Sequence, residues 1–400
     1  MRVLIVASLF APWRLGGAEV VAESSALALT ELGHEVQVLT LSPDQETSQD
    51  HQDGYEIRRI PLVNIYPLQD MGRATTLQRV QWHIKDRWNS VMQNVFTSEL
   101  KKIKPDVVLL HNIAGFSIAI YEALTKASLP FVQVLHDHYF ICLYSTMYRN
   151  TKTCESQCLR CTLMRGRHSK TTQLASGVIG VSNFILNHIK SMNYFSGVPS
   201  KVIHNLSSDP TSEAVSNRRF EKISKLGCTL GYLGILTESK GVLDLINVFR
   251  RTAGPFDRLR LAGHLDNRLQ HLHSEFDTDP RIEYLGVVER EFFFSTIDCL
   301  VVPSRVPEAF GLVAQEAWFR GIPVLVSNQG ALPETIASAP SAYVYDASNT
   351  DGLTSALHTV LSDCTHWKPN QVISASYYNT MKRDWGKSYE EILQRNLSIN

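Results

Sequence analysis

The chain has 400 residues, 44% of them apolar, with 39 basic groups against 39 acidic ones. That is material for about two domains, each with its own core, and a balanced charge argues against a general nucleic-acid binder, which needs a basic face. No run approaches the roughly 18 consecutive apolar residues of a membrane span, and seven cysteines in a chain this long fit a reducing compartment better than a disulfide scaffold.

Residues 1–11 are apolar enough to be weighed as a secretory leader. Gly16-Gly17 and a helical pattern follow at once, so residues 3–7 are predicted as a first buried strand. Gly16-Gly17 opens a helix over 18–32, ended by Gly33, and 35–40 is the second strand. Taken alone, this glycine-rich turn is a tight turn as readily as a ligand loop. Residues 55–59 read as another strand. Over 75–92, Leu77, Val80, Ile84, Trp88 and Val91 recur at helical spacing and predict one amphipathic helix. Its other face holds Arg79, Trp82 and His83. An exposed Trp beside basic groups points to a lipid surface or an acceptor, with packing under a neighbouring loop as the alternative.

Residues 105–110 and 130–135 are predicted strands running into His111-Asn112 and His136-Asp137-His138. Polar residues just past the ends of parallel strands are where active sites form. Cys142, Cys154, Cys158 and Cys161 follow in polar sequence without clear periodicity. Four thiolates can bind zinc tetrahedrally, and a local loop without a core needs such a staple; disulfide or redox pairing and unligated thiols are the alternatives. Arg165, Arg167 and Lys170 read as a solvated basic loop. Residues 177–181 are a strand ending in Ser182-Asn183, 201–204 a short strand, and the turn-rich 205–210 places a domain boundary near 205.

Residues 229–233 open a second sheet. After Gly234, Lys240 stands beside Gly241, just before a helix over 242–251, where a cation suits a phosphate. Strand 258–262 ends in Gly263-His264, 281–285 leads to Gly286-Val287, and 289–297 is a helix. Residues 299–302 form a buried strand stopped by Pro303-Ser304. A loop, a helix over 312–319 ended by Gly321 and Pro323, and a strand over 324–326 complete a parallel crossover unit. Backbone N–H groups of Ala309, Phe310, Gly311 and Leu312 at that helix start lack intrahelical partners and attract phosphate. Glu308 and Glu316, eight residues apart on either side, suit the hydroxyls that flank a phosphate: a sugar at one end, a ribose at the other. A strand over 342–345 and helices over 350–361 and 377–400 end the chain.

The stretch P-S-R-V-P-E-A-F-G-L-V-A-Q-E-A at 303–317 resembles the E-x7-E motif of the retaining glycosyltransferases of family 4, in a subfamily with a cysteine-rich insert after its H-D motif. The resemblance extends to Gly16-Gly17, His136-Asp137, the G-x6-G loop with Lys240, Gly263 and Gly286-Val287. It implies an α/β protein of the GT-B fold, two Rossmann-like domains facing each other across a cleft. Residues 1–205 would bind the acceptor and carry the insert at 142–161; 206–374 would bind the donor; and 375–400 would be a last helix crossing back to the first domain.

By the same resemblance Glu308 and His136 contact the donor sugar, Glu316 the ribose, and Lys240 the leaving diphosphate. Gly16, Gly17, Gly263 and the amides at 309–312 face the donor, Val287 lines the base pocket, and Asp137 serves the acceptor; His111, from its place past a strand end rather than from the resemblance, is a further acceptor-side candidate. The family's usual arginine in the Lys240 loop is Ile235 here, and Arg305 is the expected replacement. The implied reaction transfers a sugar from a nucleotide-diphosphate sugar, UDP before GDP, to a saccharide or lipid-linked saccharide in polysaccharide assembly, without a metal cofactor. No D-x-D is suitably placed. The implied setting is cytoplasmic, with peripheral attachment to the inner membrane face. The alternative from another class is an inactive nucleotide-sugar sensor or scaffold, supported by Ile235; a GT-B-like isomerase or phosphorylase fits the motifs less well.

Overall fold

Strands buried on both faces of a parallel sheet read as continuous apolar runs, and the first such run, Arg2–Ala7 (β1), is buried from its second residue on. The computed structural model describes residues 1–14, 16–149, 152–207, 227–266, 269–270, 276, 278–364 and 372–397. The parts of the predicted turn at 205–210 and of the final helix that fall beyond these lie outside the described residues.

After β1 come Gly17–Glu31 (α1), Glu35–Ser42 (β2), Ser48–Gln52 (β3), Tyr55–Pro61 (β4), Thr76–Arg87 (α2), Ser90–Ile103 (α3), Val107–Leu110 (β5), Ile120–Lys126 (α4) and Phe131–Leu135 (β6). The short hairpin Tyr148–Arg149 (β7) and Lys152–Thr153 (β8) is followed by Leu159–Thr171 (α5), Gly177–Gly180 (β9), Asn183–Ser191 (α6) and Ser200–Val202 (β10). Eight of these strands form one sheet in the order β10-β9-β6-β5-β1-β2-β4-β3. All neighbours are parallel except β3, which pairs antiparallel with β4. The chain builds outward from β1 to β2 on one side and from β5 on the other. The topological switch point therefore lies between β1 and β5, where an open α/β sheet presents a crevice for ligands.

The second sheet comprises Thr229–Leu233 (β11), Arg258–Ala262 (β12), Ile282–Gly286 (β13), Cys299–Val302 (β14), Val324–Ser327 (β15) and Ala342–Tyr345 (β16). Its order is β13-β12-β11-β14-β15-β16, all parallel, with the switch point between β11 and β14. The accompanying helices include Val242–Thr252 (α7), Arg290–Ser295 (α8), Leu312–Phe319 (α9), Leu332–Thr335 (α10) and Gly352–Cys364 (α11). The last helix is Ala375–Leu397 (α12).

Contacts divide the chain into two units. One holds Met1–Met147, Cys154–Leu206 and the chain from Thr380; the other holds Tyr148–Thr153 and the chain from Ser207 to Asn379. In the first unit, α12 donates from Trp385 Nε1 to His204 O at 2.9 Å and pairs Lys382 with Glu31 at 2.7 Å. In the second, Tyr378 donates to Ser207 O at 2.7 Å. No helix among the described residues is long and apolar enough to cross a membrane.

Four local expectations are corrected. The single helix expected over 75–92 is two, because Trp88 is extended and Asn89 caps α3, its side chain accepting from Met92 N at 3.1 Å. Its faces are also reversed: Trp82 is buried and donates to Tyr66 O at 3.1 Å, while Leu77, Val80 and Ile84 are 67%, 49% and 58% exposed. The inward face is set by Trp82 and Asp86, four residues apart, and the indole there finds both a stacking partner in Tyr66 and an acceptor, which a buried Trp requires.

The basic stretch after the cysteines is helix α5 rather than loop, and its Arg165 is buried. Cys228, just before β11, and Cys364, closing α11, form a disulfide with Cα atoms 6.0 Å apart. The preference for a reducing compartment over a disulfide scaffold did not foresee this pair.

Candidate active site

In the second unit the site grows from the carboxyl ends of the strands that flank the switch point. β14 runs into Pro303-Ser304, and Ser327 at the end of β15 donates to Ser304 O at 2.7 Å, which holds the loop down. Glu308 bridges to Gly330, and Ala331 N donates to Glu308 O at 2.8 Å. Thr335 donates to Phe310 O, so main-chain and hydroxyl bonds on both sides fix the approach to α9. Gly311 caps α9 with φ +95°, and a Cβ there would come within 2.5 Å of Leu332 Cδ2. Only glycine adopts that turn with Leu332 so close. In the first turn of α9, Ala314 N donates back to Gly311 O at 2.9 Å.

Both motif carboxylates meet a cation. Lys240, at the end of the turn Glu238–Lys240, donates from Nζ to Glu308 Oε1 at 2.6 Å. Glu316, 1% exposed, is paired by Arg290 at the start of α8, with its burial pushing the carboxyl above the usual range and Arg290 pulling it down. Neither side chain points to bulk solvent: Glu308's is 18% exposed. The charge of Glu308 is also felt by Tyr232, whose hydroxyl is raised first by burial and then by that carboxylate.

Gly263 closes β12 at φ +128°, where a Cβ would lie 1.9 Å from Gly234 O. This contact lets the ends of β11 and β12 approach backbone to backbone. Val287 stands exposed after β13, and Ile235 is also exposed. Arg305 is engaged by Asp244 at 2.6 and 2.5 Å through two nitrogens and by Glu238 at 3.3 Å. Asp244 holds its guanidinium more firmly charged than usual.

In the first unit the predicted polar residues collect at the ends of β1, β5 and β6. Gly16 caps α1, its N–H donating to Glu19 Oε2 at 2.8 Å, and Gly17 is the first helical residue. Gln133 on β6 donates to Leu110 O and His111 O at 3.1 and 2.6 Å, seating His111 beside β6. His111 Nδ1 and His136 Nε2 then share a hydrogen bond of 2.8 Å, with rings 5.0 Å apart and nearly parallel. Burial holds the His136 imidazole down to about 3 and His111 well below the usual range, so the pair is neutral at pH 7 and shares one N–H. Asp137 accepts from Tyr139 N at 2.7 Å, and burial pushes its carboxyl up to about 6. His138 is turned to His188 at 3.1 Å.

Sequence reasoning missed the group behind this loop. Asp86 is fully buried and accepts from Gly115 N at 2.7 Å and Tyr139 OH at 2.9 Å. Arg165 stands 3.6 Å from Asp86 and stacks over the Tyr139 ring at 4.2 Å. Asp86 reads as a surface acid in an amphipathic helix; only its i,i+4 spacing from Trp82 signals the buried face.

Of the four insert cysteines, Cys142 and Cys161 are buried and Cys154 and Cys158 half-buried. Leu143 N donates to Cys161 Sγ at 3.4 Å.

Residues 15–206 match the family described as Glycosyltransferase Family 4, and residues 216–377 match Glycosyl transferases group 1. A protein of Klebsiella pneumoniae described as an uncharacterised 42.6 kDa protein in cps region is 25% identical over 86% of this chain and 89% of its own length. Sucrose-phosphate synthase from Thermosynechococcus elongatus superimposes with a TM-score of 0.69 at 16% identity, over 98% of this chain and 96% of that one. The Anabaena protein HepE, solved in complex with UDP, gives 0.67 at 16% identity over 99% and 100% of the two chains. These two structures are GT-B folds, and the likeness assigns that fold to this chain.

Proposed function

Since the chain belongs to the family 4 glycosyltransferases and has the GT-B fold, we propose that it moves a sugar from a nucleotide-diphosphate sugar to a saccharide or lipid-linked saccharide acceptor with retention of anomeric configuration. The observation that carries this reading is the pairing of both motif carboxylates with cations, Glu308 with Lys240 and Glu316 with Arg290, beside the N-terminus of α9. A sugar nucleotide satisfies all of these groups by exchange. Its diphosphate takes Lys240 and the amides at Ala309, Phe310, Gly311 and Leu312, its sugar hydroxyls take Glu308, and its ribose takes Glu316.

In the transfer the acceptor oxygen bonds to the anomeric carbon on the face from which the diphosphate oxygen departs. The acceptor's proton passes to that leaving oxygen. The protein's share is positioning and charge stabilisation. Gly16, Gly17, Gly263 and Val287 serve the donor, His136 the sugar, and Asp137 and His111 the acceptor side. UDP as the nucleotide is supported by the UDP bound to HepE, and an assembly role in polysaccharide synthesis by the cps-region relative. A panel of UDP-, GDP- and ADP-sugars, read by slow donor hydrolysis and by NMR of the product anomer, tests the reading; no turnover and no binding with any donor overturns it.

Arg305 is proposed as the cation that replaces the one lacking at Ile235, after exchanging Asp244 for the diphosphate. Arg305→Ala is expected to reduce kcat/KM by roughly tenfold, an effect of about 1.4 kcal/mol. Unchanged turnover and donor affinity would remove Arg305 from the site.

The commitment of Arg305 to Asp244, together with an uncharged residue at 235, favours a second reading, a sugar-nucleotide sensor. Titration calorimetry beside the product assay separates the two, because a sensor binds donor without transfer.

Peripheral membrane attachment is also proposed. It is supported by exposed Leu77, Val80 and Ile84 on α2 with Arg79 and Arg87 on the same short helix. Co-sedimentation with liposomes is expected to rise with anionic lipid content; absence of binding with and without such lipid rules it out.

A further inference from the structure

The transfer reaction leaves one loop of the first unit unused, the stretch between β1 and Gly16. It departs from the carboxyl end of β1, beside the switch point where an open α/β sheet takes its ligands. The loop is pinned. Ser8 N donates to Asn112 O, past the end of β5, at 2.8 Å, and Trp13 N turns back to Phe10 O at 3.1 Å. Phe10 is buried, edge-on to the Tyr55 ring at 6.1 Å.

Leu9, Phe10 and Ala11 are buried, whereas Trp13 stays 39% exposed. Its indole is nevertheless held from one side. Arg59, late in β4, stands with Cζ 5.1 Å from the ring centroid. A buried guanidinium is costly unless paired, and Arg59 is only 4% exposed. Asp50 on β3 pairs with it, and its Nη2 donates to Ala11 O at 2.7 Å. One arginine therefore fixes both the loop and, by a cation–π contact, the ring, while the ring keeps its contact with solvent. Arg14, next in the chain, pairs with Glu23 on α1, so a donor fork and an acceptor carboxylate stand together beside the indole. On the strands below, Thr40 Oγ1, Tyr55 OH and Arg59 Nε are buried and have no partner among the described residues. Thr40 and Arg59 are neighbours in register on β2 and β4. Buried polar groups are nearly always paired, so three such atoms under one loop mark a place that a polar ligand completes.

An exposed ring with one face supported, flanked by a donor and an acceptor, suits a pyranose. The C–H groups on a sugar's apolar face lie against the negative face of the indole. Its hydroxyls exchange into the Arg14–Glu23 pair as charge-assisted hydrogen bonds. The sheet order says which sugar this is. Asp137 follows β6, whereas the support of Trp13 comes from β4. In the order β6-β5-β1-β2-β4 these strands are four steps apart, roughly 19 Å at about 4.8 Å per step. One sugar ring does not span that distance.

We propose that Trp13, with Arg14 and Glu23, forms an outlying acceptor subsite that holds a second sugar ring of an oligosaccharide acceptor, away from the ring that receives the transferred sugar. This rests on the glycosyl transfer proposed above and adds that the acceptor carries more than one sugar.

The test labels the full chain with 5-fluorotryptophan. Its six tryptophans give separate fluorine signals, and the Trp13 signal is the one lost in Trp13→Phe. Maltose, cellobiose, lactose and mannobiose are titrated in without donor. The expected result is a saturable shift of the Trp13 signal with at least one of them, the other signals moving far less, and roughly tenfold weaker binding in Glu23→Ala, as the loss of a charge-assisted hydrogen bond gives. In kinetics, Trp13→Ala is expected to raise KM for a disaccharide acceptor by about tenfold with kcat nearly kept, the mark of lost uniform binding, and to leave KM for the matching monosaccharide glycoside unchanged. A merely structural role changes both acceptors alike. Where Trp13→Ala does not fold, the titration of the unsubstituted sequence decides. A Trp13 signal that no disaccharide moves, or an equal rise in KM for both acceptors, overturns the subsite. Saccharide binding at Trp13 in a chain that turns over no donor keeps the subsite and overturns the transferase reading; donor turnover with an unmoved Trp13 signal overturns the subsite alone.

Discussion

Lys240→Ala is expected to lose most turnover, with kcat falling by about 100- to 1,000-fold, which corresponds to the roughly 3–4 kcal/mol that one preorganised donor to a developing anion supplies. Two effects combine in this variant. The leaving diphosphate loses a cation just where its charge grows, and Glu308 loses the partner that holds it at 2.6 Å. A bare carboxylate then faces the incoming phosphate, so donor affinity falls as well. Stability should change little, because the Lys240 side chain is more than one third exposed and such pairs contribute little. Steady-state kinetics beside a melting curve checks both halves. Near-normal activity in a folded Lys240→Ala protein contradicts the electrostatic role.

Asp86→Ala is expected to cost about 3–5 kcal/mol of stability, because it strands a buried arginine. Arg165 is 2% exposed, and Tyr139 OH and Gly115 N lose their acceptor at the same time. For a unit of this size the melting temperature should fall by roughly 6–20 °C. Replacing both partners, as in Asp86→Ala with Arg165→Met, is expected to recover part of the loss, since no unpaired charge then remains. Because Tyr139 lies two residues beyond Asp137, the single variant should also weaken activity below its melting point. A melt unchanged by Asp86→Ala shows that the pair is not coupled to folding.

The parts of this protein that were legible in its sequence are those specified locally. α9 spans Leu312–Phe319, as expected from the glycine before it and the Gly321 and Pro323 after it. Apart from β3, a polar and exposed edge strand that was not expected, the main strands of both sheets were visible as short apolar runs bounded by Gly, Pro or Asn. What the sequence withheld depends on which strands become neighbours. His111 and His136 are 25 residues apart, and become a hydrogen-bonded pair only because β5 and β6 are adjacent. Glu308 and Lys240 are 68 apart, Cys228 and Cys364 136 apart. No periodicity encodes such meetings.

The inverted face of α2 has a different cause. Apolar spacing at Leu77, Val80 and Ile84 selects a helix correctly, but it does not say which stripe is buried when a Trp lies on the other one. Trp82 and Asp86 won because the indole and the carboxylate each find buried partners, whereas the aliphatic stripe finds none among the described contacts of the helix. Arg165 was misread for the same reason. A buried charge is recognisable only through its partner, and Asp86 lies 79 positions earlier in the chain.

The central claim is that the two motif carboxylates and their cations are exchanged against the parts of one sugar nucleotide. A crystal structure of the chain with UDP-glucose, or with whichever donor turns over fastest, measures this directly. The account predicts Lys240 Nζ moved from Glu308 onto the diphosphate, Glu308 on the sugar hydroxyls and Glu316 on the ribose. A donor bound elsewhere, with the Lys240–Glu308 and Arg290–Glu316 pairs intact, contradicts it.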